Sequence, residues 1–182
     1  MQNLQNHFLI AMPNMTDPMF SRTVTLICEH NQEGAMGIII NRATLYCTKD
    51  LLAQAENANN NFAEAILHTG GPVQGERGFI LHSNEGQWEQ SLAVSEQLSL
   101  TSSSDILTAL SQGKGPKQYF ISLGYAGWGA GQLEQELAEN AWLHDPASAD
   151  ILFDTPVEQR WTAAAQQLGI DIHLLDSNAG HA

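Results

Sequence analysis

Residues 22–41, RTVTLICEHNQEGAMGIIIN, constrain the fold more than any other stretch of the chain. Two runs dense in β-branched and apolar residues, 22–30 and 35–41, flank the polar tetrapeptide NQEG at 31–34. Val, Ile and Thr suit extended backbone, and a short connection of this kind between two such runs reads as an antiparallel hairpin. Similar runs predict strands over 7–11, 65–70, 77–83, 91–95 and 117–124.

Helices are expected over 48–56, 103–113 and 132–143, and the asparagine-rich stretch 57–62 reads as an exposed loop. DILF at 150–153 is expected as a strand, followed by a helix with a well-marked start. Thr155 can cap it, Pro156 sits at its first position and Glu158 lies three residues past the cap. That helix ends at Gly169, and IDIHLL at 170–175 reads as a closing strand before a frayed tail over 176–182. With 182 residues, no repeats and no linker, hairpins followed by alternating strand and helix imply one mixed α+β domain.

GYAGWGAGQLEQEL, residues 124–137, raises the question of a phosphate cradle, because a glycine-rich turn before a helix offers free N–H groups. The spacing fails the test. A G-x-G-x-x-G motif begun at Gly127 places Gln132 at its third glycine, and one begun at Gly129 places Glu134 there. No Lys-Ser/Thr pair follows, and Glu134 and Glu136 already complement the helix dipole. A structural turn around Trp128 is the stronger reading.

Charge excludes further classes. Twenty acidic residues stand against seven basic ones, a formal net charge of −13, and the basic residues are scattered along the sequence. A surface of that sign repels phosphate backbones and anionic lipid, so direct nucleic-acid contact is disfavoured. The apolar runs are far shorter than a membrane span, and the N-terminus lacks a charged region and cleavage site, so a cytoplasmic protein is expected. Cys28 and Cys47 could form one bridge at most, and that setting would keep both reduced.

Among reactive groups, Cys28 and His30 lie two apart on a predicted strand and therefore share a face. Neighbours on one strand face stand roughly 6–7 Å apart, too far for a nucleophile and its base, and core packing suits Cys28 better. The seven histidines show no metal-ligand spacing, and neither a metal nor a cofactor is expected. Polar residues at the ends of apolar strands are more informative: Arg22, Glu29, His30, Asn31, Asn41, Arg42, Arg77 and His82 either pair internally or line a cleft. GGPVQGERGF at 70–79 offers a sharp turn or a nest of open amides.

Taken together, FLIAMP at 8–13, residues 17–42, GGPVQGERGFILH at 70–82, residues 124–143 and DILFDTPVEQRW at 150–161 resemble the bacterial YqgE/AlgH family over nearly the whole chain. The loop at 43–64 is where it varies. That resemblance implies an α+β domain whose mostly antiparallel sheet bends and splits into a pseudo-barrel flanked by helices. It brings no catalytic mechanism, although some members of the family are described as transcriptional regulators. The residues that match its motifs are Arg22, Glu29, His30, Asn31, Gly34, Asn41, Gly70, Gly71, Pro72, Arg77, Gly78, His82, Gly124, Tyr125, Gly127 and Trp128.

The expectation drawn from these residues is a non-catalytic binding or regulatory protein with a cleft between the EHN turn, the GGP turn and the GYAGW loop. Its partner would be a protein or a small molecule, and the same apolar surface could serve a homo-oligomer. Two alternatives stand beside it. One is a regulator acting on DNA directly or indirectly; the other is a hydrolase with His30 or His82 as base and Cys28 or a metal-bound water as nucleophile.

Overall fold

A computed structural model describes residues 2–47 and 66–177. The helix expected over 48–56 and the loop over 57–62 lie outside the described residues. The hairpin of 22–41 forms β2 (Val24–Asn31) and β3 (Gly34–Ile39), with Thr25 opposite Ile39 and Asn31 opposite Gly34. β1 (His7–Ala11) pairs with the outer edge of β2. Its apolar run has no polar alternation because both faces are covered: Phe8 and Ile10 enter one core, and Leu9 and Ala11 enter another.

The sheet divides at β9 (Tyr119–Gly129). One edge pairs with β6 (Val73–Ser83). The other is shared, running parallel to β5 (Ile66–Thr69) at Ser122–Leu123 and antiparallel to β3 at Ala126–Gly129. β4 (Ala43–Cys47) pairs with β5, β8 (Leu98–Thr101) with β6 and β7 (Ser91–Ala93) with β8, while β10 (Trp142–Pro146) pairs with β1. The result is a curled, forked sheet with helices at its edges: α1 (Ser104–Ser111), α2 (Gln132–Ala138), α3 (Arg160–Gln167) and α4 (Ile172–Ser177). No helix among the described residues is long and apolar enough to cross a membrane.

Five expectations need correction. The glycine-rich stretch is not a turn: 124–129 continue β9, because pairing of Ala126–Gly129 with β3 and of Tyr125 with β6 outweighs the low strand propensity of glycine. The turn comes at Gly131, with φ of 75°. The helix of 132–143 ends at Ala138, and its predicted last turn becomes β10 after Asn140 turns the chain at φ of 58°. DILF forms a wide helical turn, Asp150–Asp154, that buries the adjacent Ile151 and Leu152, which a strand would point to opposite sides. Thr155 does not cap α3; its hydroxyl donates to Asp150 O at 3.0 Å, and a 3₁₀ turn at Val157–Gln159 leads into the helix. IDIHLL forms α4 instead of a strand, with Ile172 buried against the core.

A sixth correction lies inside β2. The register slips between Ile27, opposite Gly37, and Glu29, opposite Met36, so Cys28 is an extra residue in a β-bulge. Beyond it the faces exchange. Cys28 packs with Leu26 and Phe79 in the first core, whereas His30 pairs with Ala35, which packs on the second. The two side chains therefore do not share a face.

Candidate functional site

Where β2 turns into β3, Glu29 and Asn31 are exposed, and Asn31 Nδ2 donates to Glu29 Oε1 at 3.2 Å. Asn31 Oδ1 accepts the Glu33 amide at 2.8 Å, which closes the turn with a side chain. Gly34 follows at φ of 137°, and a Cβ there would lie 2.0 Å from the Trp128 carbonyl oxygen. That close approach seats the hairpin tip on β9, where Ala35 faces Trp128 and Met36 faces Gly127. Between tip and strand runs an open groove of about 420 Å³, lined by Glu29, Asn31, Glu33, Met36, Tyr125 and Trp128 among others.

A second groove, of about 430 Å³, adjoins the first and shares Gly127 and Trp128 with it. Its aromatic wall is Phe20, Trp128 and Trp142, with ring centroids 5.7 to 6.3 Å apart. Glu136 on α2 holds that wall: one oxygen accepts Trp128 Nε1–H at 2.9 Å and Trp142 Nε1–H at 2.8 Å, and the other accepts Gln132 Nε2–H at 2.9 Å. Asp17, Glu136 and Glu139 line this groove, and neither groove has a lysine or arginine in its lining.

His30 lies beneath this region and is fully committed. The Leu4 amide donates to Nδ1 at 3.0 Å, so that nitrogen is bare, and Nε2 carries the proton it donates to Glu134 Oε1 at 2.8 Å. His82 is committed as well. Nδ1–H donates to Ser83 O at 2.9 Å, and Nε2 meets the Thr101 hydroxyl at 2.8 Å, which in turn meets Ser91 Oγ at 2.6 Å. Burial holds the His82 pKa below its ordinary value. Cys28 is wholly buried; its thiol donates to Leu26 O at 3.6 Å, and desolvation pushes its pKa far up. Among the described residues, no three of His, Cys, Asp and Glu lie close enough to share a metal ion.

Of the sequence-selected residues, Glu29, Asn31, Tyr125 and Trp128 thus meet at one groove, with His30 behind them. Gly70, Gly71, Pro72 and Gly124 serve the backbone crossing instead: a Cβ on Gly71 would lie 2.1 Å from the Tyr125 carbonyl carbon, and one on Gly124 would lie 2.5 Å from Gly71 O. At those glycines the space a side chain would need is taken up by another segment of backbone. Arg22 and Asn41 sit at the opposite end of β2, on the order of 20 Å from Glu29. Asn41 joins them there, accepting the Val24 amide at 2.8 Å and donating to Arg22 O at 2.9 Å. Arg77 lies over Phe79 and donates to Gln74, Gln90 and Ser102. Phe20, Glu33, Met36 and Trp142 are not singled out by sequence, and Glu136 enters it only through the helix dipole; Phe20 follows Pro18 and Met19 and Trp142 stands between Ala141 and Leu143, so both read as ordinary core aromatics and nothing local marks the second groove.

Comparison with known proteins places these features in a family. The family described as AlgH-like matches residues 8–173. A UPF0301 protein of Nitrosococcus oceani is 55% identical over 181 residues, covering 98% of this chain and 96% of that protein. A UPF0301 protein of Thioalkalivibrio sulfidiphilus is 53% identical, covering 99% of this chain and 97% of its own. The solution structure of the AlgH protein from Pseudomonas aeruginosa, 46% identical, superposes with a TM-score of 0.83 over 100% of this chain and 97% of that one. A crystal structure of protein DIP2367 from Corynebacterium diphtheriae has the same fold at 17% identity, with a TM-score of 0.76 over 97% of this chain and 93% of that one.

Proposed function

This chain belongs to the AlgH-like family, and we propose that it is a non-catalytic binding protein that docks a basic segment of a protein partner across Trp128. One observation carries the reading: two open grooves meet on Gly127–Trp128, both rimmed by carboxylates and neither lined by a lysine or arginine. Aromatic faces and carboxylates together favour guanidinium and ammonium groups. Small-molecule sites enclose most of their ligand, whereas adjoining open grooves suit an extended segment. A second copy of this chain would bring acid against acid through a two-fold contact, which disfavours self-association on this face.

Regulation, on this reading, is exercised through the protein partner and not through DNA. A cytoplasmic setting fits Cys28 as a buried free thiol. The test is a tryptophan-fluorescence titration with a synthetic lysine- and leucine-rich peptide and with its glutamate-for-lysine counterpart. The basic peptide saturates, Glu29→Gln with Glu33→Gln weakens it, and the acidic peptide does not bind. Equal response to both peptides, or to neither, ends the proposal.

A further inference from the structure

A cavity of about 240 Å³ opens where β1, β8 and β9 begin and β6 and β10 end. Backbone bonds fix its walls: the Asn6 amide donates to Ile27 O at 2.8 Å, the Ala147 amide to Asn6 O at 2.9 Å and the Ser83 amide to Gln118 O at 3.0 Å. Two hydroxyls brace it further, Ser95 Oγ accepting the Gln97 amide at 3.3 Å and Ser148 Oγ the Ile151 amide at 3.2 Å. Leu98 and Leu152, both buried, form an apolar floor, and half-buried Phe153 lines the cavity beside them. The cavity is more enclosed than either groove at Trp128 and shares no lining residue with them.

With these bonds made, hydrogen-bonding capacity is left over. The side-chain amides of Asn6, Gln97 and Gln118 have no hydrogen-bond partner among the described residues, and the Ser95 and Ser148 hydroxyls keep their protons to donate. These groups come from segments far apart in sequence and meet around one space. Charge is the second observation. The chain carries twenty acidic and seven basic residues, yet no charged side chain lines the cavity. An ion entering it would lose water without gaining a counter-charge. Amides and hydroxyls each both donate and accept, so they match a ligand whose own groups do the same, which is the property of a hydroxyl.

We propose that this cavity is a binding site for a small neutral polyhydroxylated molecule, a single uncharged sugar, with Asn6, Gln97 and Gln118 reading its hydroxyls and the floor of Leu98, Leu152 and Phe153 taking its C–H face. Size agrees with this: at roughly 30 Å³ for each liquid water the cavity spans about eight, the bulk of one sugar ring and its hydroxyls. Amide groups can bridge neighbouring hydroxyls, donating to one and accepting from the next. The site stands apart from the docking of a basic segment at Trp128 and does not depend on it.

The experiment is an NMR titration of the full-length, isotope-labelled protein, read at the side-chain amides of Asn6, Gln97 and Gln118. The probes are glucose, galactose and ribose in turn, with glucuronate and adenosine as counter-probes. At least one neutral sugar shifts these resonances saturably, and glucuronate binds about tenfold or more weakly than the best of them. Gln97→Ala and Gln118→Ala each weaken that sugar by about three- to tenfold. Neither side chain has a partner in the fold, so each variant guards against a folding defect in the other. Gln112→Ala, at the C-terminal end of α1 and outside the lining, leaves binding unchanged. Absence of saturation by all three sugars up to about 20 mM, a range that spans millimolar dissociation constants, overturns the proposal. So does tighter binding of glucuronate or adenosine than of every sugar, or native affinity in both lining variants.

Discussion

His30 and Glu134, 104 residues apart in sequence, are joined by a 2.8 Å hydrogen bond from Nε2–H to Oε1. The other ring nitrogen accepts the Leu4 amide, so one imidazole ties the chain start to β2 and to α2. His30→Ala is expected to cost about 2–3 kcal/mol, because it strands a buried amide and removes a charge-assisted bond. Glu134→Gln, at a partly exposed partner, is expected to cost about 1 kcal/mol or less. Urea denaturation of both single variants and the double variant measures the coupling; strict additivity would contradict the bond.

Glu136 takes two indole N–H groups on one oxygen. Trp128 and Trp142 are 6% and 4% exposed, so neither indole can turn to water when that acceptor is lost. Glu136→Ala is expected to destabilise the protein by about 2–3 kcal/mol, while Glu136→Gln, which keeps an acceptor, costs about 1 kcal/mol. Equilibrium unfolding measures both, and a basic peptide should bind the glutamine variant more weakly than the native protein. Equal stability of the two variants would show that the indoles find other partners.

The hairpin of 22–41 was legible because its pairing is local and its residues are intrinsically extended. β10 was not, since Trp142 and Leu143 follow a helical run and become a strand only by meeting Ala11 and Ile10, more than 130 residues earlier. The bulge at Cys28 leaves no mark in the residue pattern, yet it moves His30 to the other face and dissolves the apparent Cys-His pairing. Glu29, Asn31, Tyr125 and Trp128 could be read as a group because polar strand ends and aromatic glycine-rich stretches are unusual locally. The contact of Arg160 with Ile40 O could not, because it depends on α3 returning to the end of β3.

His68 carries the clearest pH dependence. It is 6% exposed, stacks on Phe120 at 4.0 Å and donates Nδ1–H to Ile121 O at 3.1 Å, with Nε2 unpartnered. Burial, aided by the charge of Arg160, lowers its pKa from 6.5 to about 4. Between those values the unfolded chain binds a proton that the folded chain refuses, so stability falls as pH drops from 6.5 toward 4 and this contribution levels off below. The loss is expected to reach about 3 kcal/mol. His68→Gln should flatten this limb of the pH profile relative to the native protein, with His82 acting equally in both. Parallel profiles would mean that His68 titrates normally in the fold.

Gly124 and Gly78 separate glycines that the crossing requires from one it does not. At Gly124 the backbone is left-handed, φ of 70°, and a Cβ would lie 2.5 Å from Gly71 O and 2.9 Å from Val73 O, both backbone atoms that cannot swing aside. Gly124→Ala therefore forces β9 away from the 70–73 segment at the fork of the sheet, and is expected to cost about 3 kcal/mol or more. At Gly78, on β6, nothing lies within 4 Å of the added methyl group. Gly78→Ala reduces the freedom of the unfolded chain and is expected to be neutral or to stabilise by about 0.5 kcal/mol. Thermal unfolding of the two variants side by side decides the matter: if both lose stability equally, steric closure at the fork is not what demands glycine at 124.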